Sequence, residues 1–521
     1  ELFGDTVDTA YEMLENGKAN RIHVSVDTAE LLNLAGKSHW VSPRSDPVTV
    51  KLYGNMATFW VKPKACMSTV KKQKRSTDEP QENHKNSTSR VLKYEETDWG
   101  ESCSRNETLE KKFERLVDQN TAILLRYLRS IHAKRLALQQ QRIQSIGSWD
   151  NDIEICGCIV EEAREMIQME SFDLQVSMNP VDPSLIEIAQ EVRSQLCNYV
   201  GSICTAYRHE NQFHNFEHAS HTVLSMDRMI QKISSSSDIL KSGFDGAPLT
   251  TAEIAKELDT RSFSIYSDPI IQFAMILSAL IHDVDHLGIS NQELVENGSP
   301  LASLYKKRCI SEQNSLDIGW WLLMTPDFDD LRPAIYSGAS EKRRFRQVLV
   351  NSVIATDLLD SKMKQHREHN WNKAFSRKSK LNRHVFMDAN EKQNLRATSI
   401  IECIMQVADF GHKLQSFQTY SIWNERHFQE MLEAYHARSL EVNPAVHWYK
   451  SELDSFDKLL IPLLSRLIAT GVFGGSGRSF LTQASENRNA WKANGEAMVQ
   501  DMENRFSRRV VAVQEETIHF S

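Results

Sequence analysis

From about residue 150 onward, apolar residues recur three and four positions apart, and the strict alternation of a half-buried strand is almost absent. The pattern predicts helices over residues 313–324, 342–360, 396–417, 423–440 and 455–469. Asp182-Pro183 reads as a helix start, because Asp caps and Pro suits the first turn. Leu185, Ala189, Val192, Leu196, Tyr199 and Ile203 then mark one buried stripe. Asp268-Pro269 repeats the device and opens an apolar run, residues 270–281, that leads directly into His282. Gln272 and Ser278 interrupt that run, which is too short to cross a hydrocarbon layer of about 30 Å.

The expected fold class is mainly α, with a small α/β piece at the N-terminus. In residues 1–62, residues 21–26 and 56–61 alternate like strands, and residues 10–15 and 28–34 read as short helices. Residues 63–106 carry the basic run Lys71-Lys72-Gln73-Lys74-Arg75 and then a polar stretch, which predicts a disordered linker. Residues 107–145 are expected to be helical. Leu109, Phe113, Leu116, Asn120, Ile123 and Tyr127 form a heptad-like seam over 109–141. That seam predicts either a homodimer through paired helices, with Asn120 setting the register, or a helix docked on its own domain. Residues 150–470 form the main helical domain, residues 234–259 are a polar insertion in it, and residues 471–521 are a tail expected to leave the core.

Composition adds little constraint. Apolar residues make up 40% of the 521 residues, enough for a sizeable core, and a net charge of −8 gives no basis for a nucleic-acid partner. The eight cysteines are scattered, with only Cys156 and Cys158 close, which fits reduced thiols in a cytoplasmic chain rather than a disulfide framework. The opening Glu1-Leu2-Phe3-Gly4-Asp5, without Met or signal peptide, is expected of a piece of a longer chain. Membrane attachment would then come only through a region upstream.

Three segments carry chemistry. His214-Asn215-Phe216-Glu217-His218 spaces two imidazoles at i and i+4, on one face if the segment is helical. His282-Asp283-Val284-Asp285-His286 packs four ligand groups into five positions. Ala408-Asp409 embeds a carboxylate in an apolar helical face, a costly placement unless a cation is nearby. Mixed His and Asp donors suit Zn²⁺ together with a harder ion such as Mg²⁺ or Mn²⁺. Two such metals, about 3.5–4 Å apart, would hold a bridging hydroxide for attack on a phosphate.

These segments, with Gly288-x-Ser290-Asn291, Ser311-Glu312-Gln313-Asn314, Ala355-Thr356-Asp357 and Trp423, resemble the 3′,5′-cyclic nucleotide phosphodiesterase catalytic domain of the HD metal-dependent phosphohydrolase superfamily. The resemblance runs from about 180 to 470. It implies an all-helical domain that hydrolyses cyclic AMP, cyclic GMP or both to 5′-monophosphates with two divalent metals. It implies that His218, His282, Asp283 and Asp409 ligate the tighter metal, that Asp283 bridges to the second, and that His214 protonates the leaving 3′-oxygen. Glu312 is expected to orient His214, with Asn215, His286 and Thr356 around the metals and Asp285 as structural support. Leu2-Phe3-Gly4-Asp5-Thr6-Val7-Asp8-Thr9-Ala10 and Asn20-Arg21-Ile22-His23-Val24-Ser25 are similar to the C-terminal third of a class III nucleotide cyclase, nearest the guanylate cyclases. Asp8, Glu12 and Tyr53 replace the Asn, Arg and Lys of that family, so this piece is expected to be a scaffold without cyclase activity.

The base-binding end departs from the phosphodiesterase pattern. The resemblance implies His412, Trp423, His427, Met431, Glu452, Ser455 and Phe456 as the substrate pocket. Glu452 replaces the family's base-reading Gln, Ser455 its stacking Phe, and Phe456 is one place late, so that a one-residue slip would make it the stacking ring. An ionised carboxylate only accepts hydrogen bonds, whereas an amide does both. Two alternatives to cyclic-nucleotide hydrolysis follow: an impaired regulatory domain that binds metal or nucleotide, or a phosphohydrolase of another phosphate ester.

Overall fold

The computed structural model describes residues 108–141, 158–178, 180–235, 250–375 and 387–519, with short stretches between 22 and 61. The chain divides into two units, Glu1–Thr108 and Leu109–Ser521. Among the described residues of the first unit are β1 (Ile22–Ser25), β2 (Val41–Pro43), β3 (Val48–Val50), β4 (Gly54–Met56) and β5 (Thr58–Val61). β5 lies between β1 and β2, antiparallel to both, with Ile22 opposite Val61 on one side and Val41 opposite the same Val61 on the other. β3 and β4 pair as a hairpin. β1 and β5 are the strands that alternation predicts. β2, β3 and β4 have three residues each, too few to set a period. Asp8, Glu12, Tyr53, the expected helix at 10–15 and the linker at 63–106 lie outside the described residues.

The second unit is helical. Its principal helices are α1 (Leu109–Gln141), α2 (Gln190–Ala206), α3 (Phe216–Ile233), α4 (Thr251–Ser262), α5 (Pro269–Ile281), α6 (Ile310–Leu323), α7 (Ala339–Ala355), α8 (Ser361–Phe375), α9 (Ala389–Asp409), α10 (Phe417–His436), α11 (Trp448–Asp454), α12 (Ile461–Thr470) and α13 (Arg478–His519). α5 is the axis of the unit. Asp268 caps it, accepting from Ile270 N at 3.1 Å and Ile271 N at 3.3 Å, and Pro269 occupies its first turn. Every residue from Ile270 to Ile281 is buried, as a helix apolar on all faces must be, and α1, α3 and α7 surround it. No helix among the described residues is long and apolar enough to cross a membrane. Among the described residues, Cys158, Cys197, Cys204, Cys309 and Cys403 are not in disulfides.

Leu116, Ile123 and Tyr127 of α1 are buried in the core of their own unit, and Asn120 donates to Ser220 Oγ at 2.8 Å, so much of the seam docks on its own domain, one of its two expected roles, while Leu109 stays exposed. Three expectations are corrected. The tail joins the core too: Ala484, Trp491, Val499, Met502 and Phe506 of α13 are buried in it. The Asp182-Pro183 start gives only a 3₁₀ turn, Pro183–Leu185; α2 begins at Gln190, leaving Leu185 exposed. Within the polar insertion, residues 251–259 belong to α4, which Thr250 and Glu253 open with a capping box.

Glu402 on α9 is buried, and burial pushes its carboxyl from 4.5 up to about 7, against the opposing Arg367 charge. The folded state thus holds the proton more tightly than the unfolded one. Stability from this group is present below 4.5 and is lost as pH rises to about 7. Glu402→Gln is expected to leave the melting temperature near wild type at pH 4.5. At pH 8 it should stabilise by up to about 3 kcal/mol. Melting curves at the two pH values check this; an equal effect at both would reject the assignment.

Candidate metal centre and active site

α3 starts at Phe216 because the Asn215 side chain accepts the backbone N–H groups of Glu217 at 3.0 Å and His218 at 3.2 Å. His214 therefore lies just before the helix, and its four-residue spacing from His218 does not reflect a shared helical face. A side chain holds the turn instead: Asn211 Nδ2 donates to the carbonyls of His214 at 3.0 Å and His286 at 2.8 Å. The His214 and His218 rings end with centroids 6.2 Å apart.

His282 ends α5. Its Nδ1 lies 3.0 Å from the Ala279 carbonyl, which only accepts, so Nδ1 carries a hydrogen and Nε2 is the nitrogen turned toward Asp283 and Asp409. Asp409 ends α9. Two residues later, a Cβ on Gly411 would lie 2.0 Å from Ser225 Oγ, so glycine lets the end of α9 close against α3. The result is a compact donor set. His218 Nε2 lies 3.0 Å from Asp409 Oδ1 and 3.6 Å from Asp283 Oδ2; His282 Nε2 lies 3.0 Å from Asp283 Oδ2 and 3.4 Å from Asp409 Oδ1.

Burial opposes charge on His282, yet Asp283 and Asp409 hold its pKa well above the usual imidazole range. Burial likewise opposes ionisation of the carboxylates, but His282 and its neighbours depress Asp283, while His218 and His282 depress Asp409 further. Nitrogen and oxygen donors that stabilise positive charge between them fit a divalent cation. His218, His282 and Asp409 are brought within reach of one ion.

His214 Nδ1 forms a short hydrogen bond with Glu430 Oε1. Glu430 Oε2 accepts the backbone N–H groups of Phe213 at 2.7 Å and His214 at 3.0 Å, so one buried carboxylate on α10 fixes both ring and backbone. Burial opposes the imidazolium, but Glu430, then Asp283 and Asp409, raise His214 to about 9. Glu312 does not make the expected contact. Asn291 Nδ2 donates to it at 2.8 Å and to Asp357 at 3.0 Å, and burial plus the Asp357 charge raise Glu312 to about 8. His286 packs 4.0 Å from the His214 ring, and burial followed by the His214 charge lowers it to about 4. Thr356 reaches the cavity with its hydroxyl donated to Val353 O at 2.8 Å. Asp285, in a left-handed conformation, is held by Arg208 Nε at 3.0 Å and Asn314 Nδ2 at 3.2 Å, a supporting role.

A cavity of about 260 Å³ joins His214, Asp283 and Asp409 to His412, His427, Glu452 and Ser455. Trp423, Met431 and Phe456 are not part of its lining. Trp423 is buried against His218 and His221, and Met431 packs on the core. A π-helical turn, Ser455–Leu460, brings Ser455 to the cavity while Phe456 is fully buried, edge-on to Tyr420 at 5.5 Å. In this arrangement Ser455, and not Phe456, faces the cavity. Burial lowers both His412 and His427, the latter to about 4, and His427 stacks on Phe213 at 4.5 Å.

Lys413 is the unexpected resident. Its buried ammonium donates to both Glu452 oxygens at 3.0 Å and to Ser455 Oγ, while Tyr420 donates to Glu452 Oε2 at 2.8 Å. Burial disfavours the Glu452 carboxylate, but Lys413 and the hydrogen bonds hold its pKa below the usual range. Sequence reasoning also missed Glu430; its one signal was a carboxylate three residues after His427.

Two family models match the chain: one described as 3′5′-cyclic nucleotide phosphodiesterase over residues 213–458, and one described as the Adenylate and Guanylate cyclase catalytic domain over residues 1–63. The chain is 24% identical over 307 residues to a probable 3′,5′-cyclic-AMP phosphodiesterase pde-4 of Caenorhabditis elegans, covering 57% of this chain and 39% of the relative. It is 27% identical over 164 residues to 3′,5′-cyclic-AMP phosphodiesterase 4C of Mus musculus, covering 31% of this chain and 22% of that protein. The chain thus spans well under two thirds of these relatives. The crystal structure of the phosphodiesterase domain of Salpingoeca rosetta rhodopsin phosphodiesterase superposes with a TM-score of 0.43 at 17% identity, covering 70% of this chain and 97% of that one.

Proposed function

We propose, from the premise that residues 213–458 belong to the 3′,5′-cyclic nucleotide phosphodiesterase family, that the helical unit hydrolyses cyclic AMP, cyclic GMP or both to 5′-monophosphates. The observation that carries this is the convergence of His218, His282, Asp283 and Asp409 beside a His214 backed by a carboxylate. His218, His282, Asp283 and Asp409 would hold one divalent metal, best suited to zinc, and Asp283 would also serve a second, harder ion such as Mg²⁺ or Mn²⁺. Such metals supply activation of water and neutralisation of phosphate charge at neutral pH.

The protein's own residues supply the proton and the geometry. His214 donates its hydrogen bond to Glu430 through Nδ1, which leaves Nε2–H of the imidazolium for the substrate. As water oxygen bonds to phosphorus, the P–O3′ bond breaks and the departing 3′-oxygen takes the Nε2 proton, giving a 3′-hydroxyl; the water gives up one proton as it becomes a phosphate oxygen of the 5′-monophosphate, and a proton from solvent restores the His214 imidazolium, so that one water is added in all. Asn215 places His218 through its cap, and His286 and Thr356 border the reacting phosphate. The scattered cysteine spacing in the sequence supports a cytoplasmic location.

Purified protein with Mg²⁺ or Mn²⁺ is expected to turn over at least one of the two nucleotides above a His214→Ala control. Absence of turnover above that control would sink the reading. A second reading, metal and nucleotide binding without turnover, is favoured by the Lys413–Glu452 pair at the base end. It predicts bound metal and saturable cyclic-nucleotide binding in the same inactive sample.

A further inference from the structure

We infer that Phe410 is the ring on which the nucleotide base stacks, with Glu452 Oε1 and the Ser455 hydroxyl reading the base's polar edge. The inference deepens the proposed function and rests on it. The aromatic surface expected at this end is missing from the two positions that resemblance suggests. Residue 455 is serine, and Phe456 is fully buried behind the π-helical turn. The cavity nevertheless has aromatic and apolar lining there. Phe410 and Leu459 both reach it, and Phe410 is only partly buried. Phe213 also lines the cavity, but His427 already stacks on it with the planes 27° apart.

Phe410 lies at the right end of the cavity. The Lys413 ammonium lies over its ring, 5.4 Å from the centroid, offset enough to contact both Glu452 oxygens and Ser455 Oγ as well, so the base shares the ring with that cation. A planar base against Phe410 therefore has its edge near Glu452 and Ser455, while Asp409, the preceding residue, belongs to the metal centre. Hydrogen-bond capacity then decides what this end offers. Among the described residues, Glu452 Oε2 already accepts from Lys413 and Tyr420, whereas Oε1 accepts from Lys413 alone. Ser455 Oγ accepts from Lys413 and keeps its own hydrogen to donate. One acceptor beside one donor matches the edge of a base that places a donor next to an acceptor. Adenine does so through N6–H and N1, and guanine through N1–H and O6.

The test measures binding of cyclic AMP and cyclic GMP by calorimetry, with turnover in parallel, for wild type, Phe410→Ala and Phe410→Tyr. The 3′,5′-cyclic phosphate of ribose without a base is the third probe, and metal content reports on folding. Loss of one base–aromatic stack should weaken binding and raise KM about tenfold in Phe410→Ala, with Phe410→Tyr recovering most of it. The baseless phosphate should change less than twofold. Wild-type binding retained by Phe410→Ala, or equal loss on the baseless phosphate, overturns the inference. Nucleotide binding that depends on Phe410 without turnover sustains the stack and rejects the proposed reaction. Wild type that binds neither nucleotide rejects both.

Discussion

Glu452→Gln alone is expected to lower the melting temperature and raise KM for cyclic nucleotides, whereas Glu452→Gln combined with Lys413→Met recovers the stability. Viewed as an isolated position, 452 asks for an amide, because an amide both donates and accepts. Its surroundings reverse that expectation. Lys413 is 3% exposed and its ammonium lies 3.0 Å from each Glu452 oxygen. Removing the carboxylate leaves a buried cation with a hydroxyl and an amide oxygen in place of its counter-charge. Breaking a buried pair by one partner costs about 3–5 kcal/mol, while replacing both partners by uncharged groups of similar volume is often neutral. The pair is thus a joint departure: each charge is tolerable because the other is present. A double-mutant cycle read by thermal melting, with KM for each nucleotide, checks this. Additive effects of Glu452→Gln and Lys413→Met would show that the ammonium and carboxylate are not coupled.

The metal centre was legible because its ligands fall where helices end. An apolar run that must be buried delivers His282 and Asp283 to the interior, and an apolar face delivers the half-buried Asp409, a carboxylate placement that favours a nearby cation. The helical class was legible for the same reason of period. What escaped depended on tertiary pairing. Glu430 and Glu312 are both acidic residues on helices, and only the packing of α10 beside the turn before α3 selects Glu430 for His214. Lys413 had no signal, since a lysine after His412 reads as solvated until Glu452 is placed opposite it. The seam of α1 and the apolar positions of α13 were visible as amphipathic stripes, but a stripe states that something covers it and not what. Here the cover is the same unit in both cases. Phe456 was counted in the pocket one place after Ser455, and the π-helical turn carries its ring into the core instead.

Glu430→Gln is expected to lower kcat about a hundredfold with little change in KM, while Glu312→Gln spares the protonation step. Glu430 acts as a positioning residue: it touches His214, not the phosphate. Its carboxylate orients the ring by taking the Nδ1 hydrogen and raises the imidazole to about 9 despite burial, with Asp283 and Asp409 adding smaller contributions. The acid form of His214 is the active one, so activity falls as pH rises through its pKa. A neutral amide at 430 removes the largest charge that holds this pKa up, so the alkaline limb of kcat moves to lower pH. Glu312 is different in kind. It accepts from Asn291, and burial with the neighbouring Asp357 raises it to about 8. Below that pH it is already uncharged, so Gln at 312 changes little in the charge that His214 experiences. Metal content should stay at wild-type level in both variants, since neither residue belongs to the set formed by His218, His282, Asp283 and Asp409. Combining Glu430→Gln with His214→Ala should be no worse than His214→Ala alone, because residues acting through one group are not additive. An alkaline limb that moves in Glu312→Gln and stays in Glu430→Gln would return the orienting role to Glu312.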